Sequence, residues 1–511
     1  MAGTDWTTLV PLPVVLPLVG AGITVAVARH TRLQRTVTVV TLMAVLAVSA
    51  ALLFGADRQG PLVVEAGGWP ARMGIVLVVD RLSGLMLVVS SVVTLAVLVY
   101  SIGQDRDGRE ESETDEGSPL PIFHPTMLVL SAGVSNTFVT GDLFNLYVGF
   151  EMLLAASFVL LTLGGTVQRV RAGISYVVVS LLASMIFLAA VALIYAATGT
   201  VNLAQLAGRL DDLPDGTRLA LQLMLLLGFA VKAAMFPMFG WLPDAYPTAS
   251  APVTAVFAGL LTKVGVYAVL RTQTLLFPDG RLQSLLMWAA LATMVIGILG
   301  AVAQEEIKRM LSFTLVSHIG YMIFGVAVGS VSGLSASIYY VAHHITIQTT
   351  LFLVAGLVQR LGGTTTLAEL GGLAKVAPLL GVLFFVPAMN LSGIPPLSGF
   401  LGKLGLLQAG AEKGTWLAYV LIGSSVLTSL LTLYAISRVW SRAFWRSPTT
   451  PVLEGRRPLP AAMVVPTAGL VIVGAALTVV AGPLFEITDR AATDMVARTP
   501  YIEAVFPGGA Q

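Results

Sequence analysis

Six ionisable side chains sit inside long apolar runs of this chain: Glu151, Lys232, Lys263, His343, His344 and Lys403. A charge at the centre of a bilayer costs about 2.5–3.5 kcal/mol on insertion scales unless it finds a partner or water. Counted at about 1.5 Å per residue from the start of each run, Glu151 lies about 15 Å in. Lys232 and Lys263 lie about 20 Å in, and the histidine pair about 15 Å in. These depths coincide near the middle of a ~30 Å apolar layer. An acid, amines and imidazoles held at one depth on different helices are the groups needed to pass a proton sideways. Burial disfavours the charged forms of acids and amines. A desolvated amine then exchanges protons near neutrality, and a carboxylate moving toward or away from it loads or unloads it. Histidine titrates near neutrality unaided, and His318 is a further candidate relay.

Structural roles would fit some of these residues as well. Glu151 and Lys232 would make a buried ion pair locking two helices, although such pairs are a weak source of stability. A single intramembrane histidine can be a packing group. Adjacent His343 and His344 point about 100° apart on a helix, so at most one is expected to face the row. For the same reason they are not expected to ligate one metal jointly. Lys403 is expected about six residues before the outer end of its helix, where it would either snorkel or act as an exit group. The second role suits a basic residue found against the positive-inside bias. Asp142 and Asp244 are expected to cap helix ends or line entrances. Glu305, Glu306, Lys308 and Arg309 read as a solvated helix start, its acids favourable to the helix dipole.

The elements that position these groups must span a membrane. Of 511 residues, 56% are hydrophobic and only 11% charged, with a mean hydropathy of +0.87. A soluble domain carries about 25% charged residues, so a soluble multidomain enzyme is excluded. The net charge of +2 is too small and too dispersed for nucleic-acid binding. The chain has no cysteine, which removes disulfides and cysteine-held iron–sulfur clusters. No phosphate loop, nucleophile elbow or metal-ligand spacing is present, and neither a cofactor nor a metal is expected. The start, MAGTDWTTLV, lacks the basic region of a cleavable signal, so the first apolar stretch is expected to remain as an anchor.

Fourteen stretches are apolar enough over about 20 residues to predict transmembrane helices. They cover 9–27, 37–55, 82–103, 122–140, 143–167, 172–198, 219–241, 249–270, 282–303, 310–331, 334–359, 376–407, 417–437 and 459–485. None alternates as barrel strands do. Basic residues such as those of RHTRLQR (29–35), Arg169, Arg171, Lys308 and Arg309 put both termini outside, by a moderate bias. Between the spans, 104–121 is an acidic, Gly/Ser/Pro-bearing loop. Residues 200–218 suggest a short amphipathic surface helix, and 441–460 a basic, proline-containing linker.

Two spans are interrupted. The seventh carries Pro237 five residues after Lys232, and the twelfth carries Pro395 and Pro396 in NLSGIPPLSG. Proline removes a backbone donor and clashes with the preceding turn, so both helices should break. Freed backbone groups in a bilayer are tolerated where protein or a wet cavity covers them. The breaks lie five helices apart, an odd offset that sets the matching helices in opposite directions. The expected fold is therefore an all-α polytopic membrane protein with two inverted five-helix repeats, helices 4–8 and 9–13, each with a discontinuous fourth helix. Ordinary proline kinks would leave a similar pattern. The expected units are 1–121 (helices 1–3), 122–272 and 282–440 (the two repeats), and 441–511 (linker, helix 14 and outer tail).

Several strings closely resemble one family. GDLFNLYVGFEMLLAASFVLLTLGG (141–165) resembles helix 5 of the D-type subunits of Mrp-type multisubunit cation/proton antiporters, themselves similar to antiporter-like membrane subunits of respiratory complex I. Further matches are KAAMFPMFGWLPDAYPTASAPVTAVFAGLLTKVGVYAVLRT (232–272), IKRMLSFTLVSHIGYM (307–322), HHITIQTTLFLVAGLV (343–358) and LSGIPPLSGFLGK (391–403), and the likeness spans roughly 75–440. The resemblance places the family's proton-translocating glutamate on Glu151, its lysines on Lys232, Lys263 and Lys403, and its helix 11 histidine region on His343 and His344. It implies proton conduction in a bacterial cell membrane, the other Mrp subunits as partners, and Na+ or another monovalent cation as the coupled ion. One departure is visible, since many relatives carry lysine where Gln348 stands. The residues after the fourteenth stretch are too few for the long lateral helix of the largest relatives. The alternative is a proton-pumping membrane subunit of a complex I-type NADH or ferredoxin:quinone oxidoreductase.

Overall fold

The computed structural model describes residues 6–108, 121–447 and 459–508. The acidic run within 104–121 and most of the 441–460 linker lie outside the described residues. Almost everything else is helix. The N-terminal part comprises α1 (Leu12–Ala26), α2 (Thr31–Gln59), a hairpin of β1 (Leu62–Glu65) and β2 (Val76–Val79), and α3 (Arg81–Gly108). There follow α4 (Phe123–Val139), α5 (Leu143–Thr162), α6 (Val167–Thr198), the short α7 (Leu203–Arg209), α8 (Asp215–Ala233) and α9 (Trp241–Ala245). Next, α10 (Ala251–Val256) runs through a π-helical turn, Phe257–Leu261, into α11 (Thr262–Leu275). Then come α12 (Gln283–Val302), α13 (Ile307–Val328), α14 (Val331–Gly362), α15 (Leu373–Val376), α16 (Pro378–Ser392), α17 (Ser398–Lys413) and α18 (Trp416–Val439). The chain continues with α19 (Ala461–Val479), α20 (Ala481–Ala497) and α21 (Thr499–Val505).

Twelve helices among the described residues are long and apolar enough to cross a membrane. The fourth expected stretch forms α4, of 17 residues, and the twelfth is divided between α16 and α17, of 15 and 16 residues. The polarity of the bundle is the reverse of a water-soluble core. In α14 the whole of the best apolar window is buried, against 28% in α19. Yet α14 carries Ser335, Ser337, His343, His344, Gln348, Thr349 and Thr350 inward, whereas α6 turns Val178, Leu182 and Met185 outward. Lipid accepts such side chains freely, so hydroxyls and amides gather between the helices, where they find partners.

Both expected breaks are present, and each repairs its own backbone. After α8, Ala234 is left-handed (φ 56°), and a turn leads to α9. Within it, Phe236 N donates to Thr293 Oγ1 (3.0 Å) and Trp241 Nε1 donates to Val231 O (3.1 Å). After α16, Gly393 adopts φ 84°, a conformation that favours glycine. Pro395 and Pro396 then lead into α17, whose Lys403 reaches back to the end of α16.

Four expectations need correction. A hairpin, absent from the sequence reading, fills the loop after α2, pairing Leu62 with Val79 through Glu65 with Val76. Its pairing groups are satisfied internally, and β2 is buried against α3 and α4. The helix at 200–218 forms as α7, capped by Asn202, but Leu203–Ala207 are buried, so it is a wedge and not a surface helix. The tail after α19 is no loose end. Its α20 folds back on α14, with Phe485 stacked on Tyr339 (centroids 4.2 Å) and Thr488 hydrogen-bonded to Ser335 (2.9 Å). Finally, Lys308 is buried rather than solvated, and the helix start around it is organised: Glu306 caps α13 through Arg309 N (3.1 Å) and Glu305 binds Arg442 (2.5 Å).

Candidate functional site

The row begins on α5. Asp142 caps this helix, accepting Asn145 N at 2.6 Å, and Glu151 follows in its third turn. Glu151 is half-buried, and its Oε1 is buried with no hydrogen-bond partner among the described residues. Lys232 occupies the last turn of α8, where the break would otherwise leave carbonyls facing a bare helix end. Its Nζ lies 5.8 Å from the centroid of the Phe150 ring. Among the described residues Glu151 and Lys232 form no ion pair within 4 Å, although the charge of Glu151 acts on Lys232. The locking salt bridge considered from sequence is therefore not formed.

Lys263 sits at the junction of the π turn with α11 and is fully buried. Its Nζ donates to Ala258 O at 2.6 Å. A π turn widens the backbone and releases carbonyls from the i→i+4 ladder, which supplies the acceptor. Gly265 brings α11 against the broken end of α8, since a Cβ there would lie 2.6 Å from Ala233 N and 3.0 Å from Lys232 C. The backbones carrying Lys232 and Lys263 thus touch, while their side chains do not bond.

Beyond Lys263 lies a cluster of buried imidazole and phenol rings. The rings of His344 and His318 lie 5.1 Å apart between centroids. His318 Nδ1 is hydrogen-bonded to Tyr340 Oη at 2.7 Å, and the Tyr340 ring lies 5.3 Å from that of His343. His343 Nδ1 meets Ser398 Oγ at 3.0 Å, at the start of α17, and that hydroxyl donates to Asn390 Oδ1 at 3.2 Å. Gly399 makes this junction feasible, because a Cβ there would fall 2.0 Å from Asn390 O and 3.0 Å from His343 Nε2. Lys403 then donates to Leu391 O (3.2 Å), Ser392 O (3.1 Å) and Ser429 Oγ (3.0 Å), its Nζ 4.9 Å from the Tyr321 centroid.

Three expectations change here. His343 and His344 do diverge, yet both join the row, His344 toward His318 and His343 toward the α16–α17 break. Lys403 is only 5% exposed and lies well inside α17, which continues to Lys413, so it does not snorkel. Its ammonium neutralises the carbonyl end of α16, a favourable place for a cation. Gln348 is buried, donates to Leu311 O (2.7 Å) and leaves its Oε1 without a partner among the described residues. Asp244 does not cap a helix but pairs with Arg309 at 2.9 Å.

Sequence reasoning missed Tyr340, Tyr321, Ser398, Asn390 and Ser429. A signal for the tyrosines was present, because Tyr340 precedes the two histidines by three and four residues and Tyr321 follows His318 by three, spacings that stack side chains on one helix face. It also missed a buried ion pair of Asp80 with Arg271 (2.6 Å), joined by Ser83 and Tyr267. There burial alone would raise the Asp80 carboxyl, but the Arg271 guanidinium holds it below the usual carboxylate range. Among the described residues no group of three or more His, Cys, Asp or Glu side chains could hold a metal ion.

A helical bundle with apolar outer faces and ionisable groups threaded through its centre defines a multi-pass membrane protein of the ion-handling class. Residues 140–432 match the family model described as NADH:quinone oxidoreductase/Mrp antiporter, TM, and the chain belongs to this family. It is 37% identical to the D-type subunit of the Na(+)/H(+) antiporter of Alkalihalophilus pseudofirmus, over 98% of this chain and 99% of that one. Among solved structures it superposes on a chain of the Mrp complex from Dietzia sp. DQ12-45-1b with a TM-score of 0.89 and 34% identity, covering 98% and 99% of the two chains. It also resembles a chain of the membrane-bound sulfane sulfur reductase, an archaeal respiratory membrane complex, with a TM-score of 0.88 and 25% identity over 98% of this chain and all of that one.

Proposed function

We propose that the chain is the proton-translocating subunit of a multisubunit Na+/H+ antiporter, working with the other Mrp-type subunits in a bacterial cell membrane. Protons move along Glu151, Lys232, Lys263, His344, His318, Tyr340, His343 and Lys403, and support extrusion of sodium or another monovalent cation. The observation that carries this is the burial of Lys263, His344, His318, Tyr340, His343 and Lys403 in the middle of the bundle, with ring and hydrogen-bond contacts running from His344 to Ser398. The high full-length identity to a named antiporter component favours antiport over the redox-driven pump, whose likeness is weaker. Breaks beside Lys232 and before Lys403 support the reading of 122–272 and 282–440 as inverted repeats within a fourteen-helix topology, both termini outside. A lysine beside each break gives the two halves equivalent switches.

The test is sodium-dependent collapse of a pH gradient in vesicles containing the whole complex. Glu151→Ala and Lys232→Ala should each reduce it by tenfold or more while the complex still assembles. Wild-type rates in both variants would eliminate the proposed row. Collapse indifferent to sodium, potassium and lithium would eliminate antiport.

A further inference from the structure

We propose that Asp142 is the group through which the outer side exchanges protons with Glu151, at the floor of a cavity between the hairpin tip and the outer end of α6. This rests on the proton-translocating reading above. The cavity measures about 640 Å³ and is lined by Arg72, Met73, Phe144, Tyr195, Thr200 and Asn202 as well as Asp142. The segment that carries Asp142 is fixed on two sides. Gly141 N donates to Val76 O of the hairpin (2.8 Å), Leu143 N to Val201 O (2.9 Å), and Leu203 N to Gly141 O (2.9 Å).

Capping does not account for an acid at this position. Asparagine caps a helix about as well without a charge, and one oxygen of Asp142 suffices for the bond to Asn145 N. The other, Oδ2, is buried with no partner among the described residues, and the residue is 4% exposed. A buried, unpartnered carboxylate oxygen is costly, and protonation relieves that cost. Burial pushes the carboxyl up to about 6, against the lowering effect of the Asn145 and Phe144 backbone N–H groups.

The interval to Glu151 is polar. Glu151 follows Asp142 by nine positions, a rise of about 14 Å along α5. In between, Asn145 and Asn136 exchange side-chain amide hydrogen bonds (3.1 and 3.2 Å). Thr137 stands beside Gly149, where a Cβ would lie 2.6 Å from its hydroxyl. Amides and a hydroxyl cannot themselves store a proton, but they are groups to which a proton-carrying water can bond. Among the described residues the other ionisable groups near Asp142 are Arg72 beside the hairpin and Tyr195 on α6, which line the cavity, and Tyr501 on α21, which contacts the Asp80–Arg271 pair through Arg271. None of these is an acid able to take its place at neutral pH.

The whole complex in vesicles provides the test, with Asp142→Asn beside Glu151→Gln. Asp142→Asn keeps the cap, and should cut proton translocation about tenfold and flatten its dependence on outer pH between about 5 and 7. In the unmodified complex, a carbodiimide should label Asp142 at low pH, with labelling falling as pH rises through about 6. Wild-type rate and pH profile in Asp142→Asn, with Glu151→Gln inactive, would overturn the role of Asp142 and leave the row intact. A fully active Glu151→Gln would remove the row as well. Should Asp142→Asn fail to assemble, labelling decides: an unmodified Asp142 at low pH overturns the proposal.

Discussion

Tyr340 is the residue on which the histidine row depends most, since its hydroxyl holds His318 and its ring lies between His318 and His343. Tyr340→Phe leaves His318 Nδ1 buried without a partner, a loss of about 1–3 kcal/mol. Its neighbour Tyr339, equally buried, donates to the carbonyl of the half-buried Leu477 at 3.2 Å, a partner that water can replace. Thermal unfolding of the purified protein should therefore fall further for Tyr340→Phe than for Tyr339→Phe, and only the former should slow proton transfer. Gly399→Ala should be more damaging still, because the added methyl group cannot stay 2.0 Å from Asn390 O. Relief by backbone movement costs about 1–3 kcal/mol and separates His343 from Ser398, which a drop in both thermal stability and transport would register. At this scale the charged groups were legible in sequence, because a lysine or glutamate inside an apolar run is conspicuous. The hydroxyls and amides that join them were not, since Ser, Thr and Tyr are unremarkable in membrane helices and acquire their roles only from what packs opposite.

Close contact between helices, more than any side chain, brings Lys263 toward Lys232. Gly265→Ala must push α11 from the broken end of α8 and should cost about 1–3 kcal/mol through overpacking. Gly208→Ala, on α7, meets nothing within 4 Å and should be neutral or stabilising by about 0.5–1 kcal/mol from helix propensity. Paired melting curves of the two variants check the argument, with transport lost only in the first. The two breaks could be read from sequence, because proline in a helix interior has a steric consequence wherever it occurs. The π turn before Lys263 had no such marker: FAGLL is compatible with ordinary helix, and the widening is set by what surrounds it. The hairpin was hidden for a related reason. VLVV in β2 is an apolar run too short to distinguish strand from helix.

Across the molecule, the start of α3 and the end of α11 are tied by Asp80 and Arg271, both buried. Asp80→Asn removes one member and strands the other, which costs about 3–5 kcal/mol. The pH dependence follows from the directions of the shifts. The depressed carboxyl of Asp80 contributes stability that is fully present above the unfolded value of about 4 and lost as pH falls through its lower folded value. Asp142 acts in the opposite sense. Its folded value near 6 lies above the unfolded one, so its contribution is present below about pH 4 and lost as pH rises through about 6. Unfolding measured between pH 4 and 7 should show a downward slope with rising pH that Asp142→Asn abolishes and Asp80→Asn leaves in place.

The complete enclosure of α14 also bears on how the chain is made. The segment is apolar enough to cross the bilayer, but its two imidazoles, glutamine and hydroxyls are covered only once other helices pack around it. Its resting place exists only between helices synthesised earlier, α3, α10 and α13, and later ones, α16, α17, α19 and α20. This helix therefore stays incompletely surrounded until the C-terminal third emerges, and the polar centre of the bundle is the last part of the protein to be sealed.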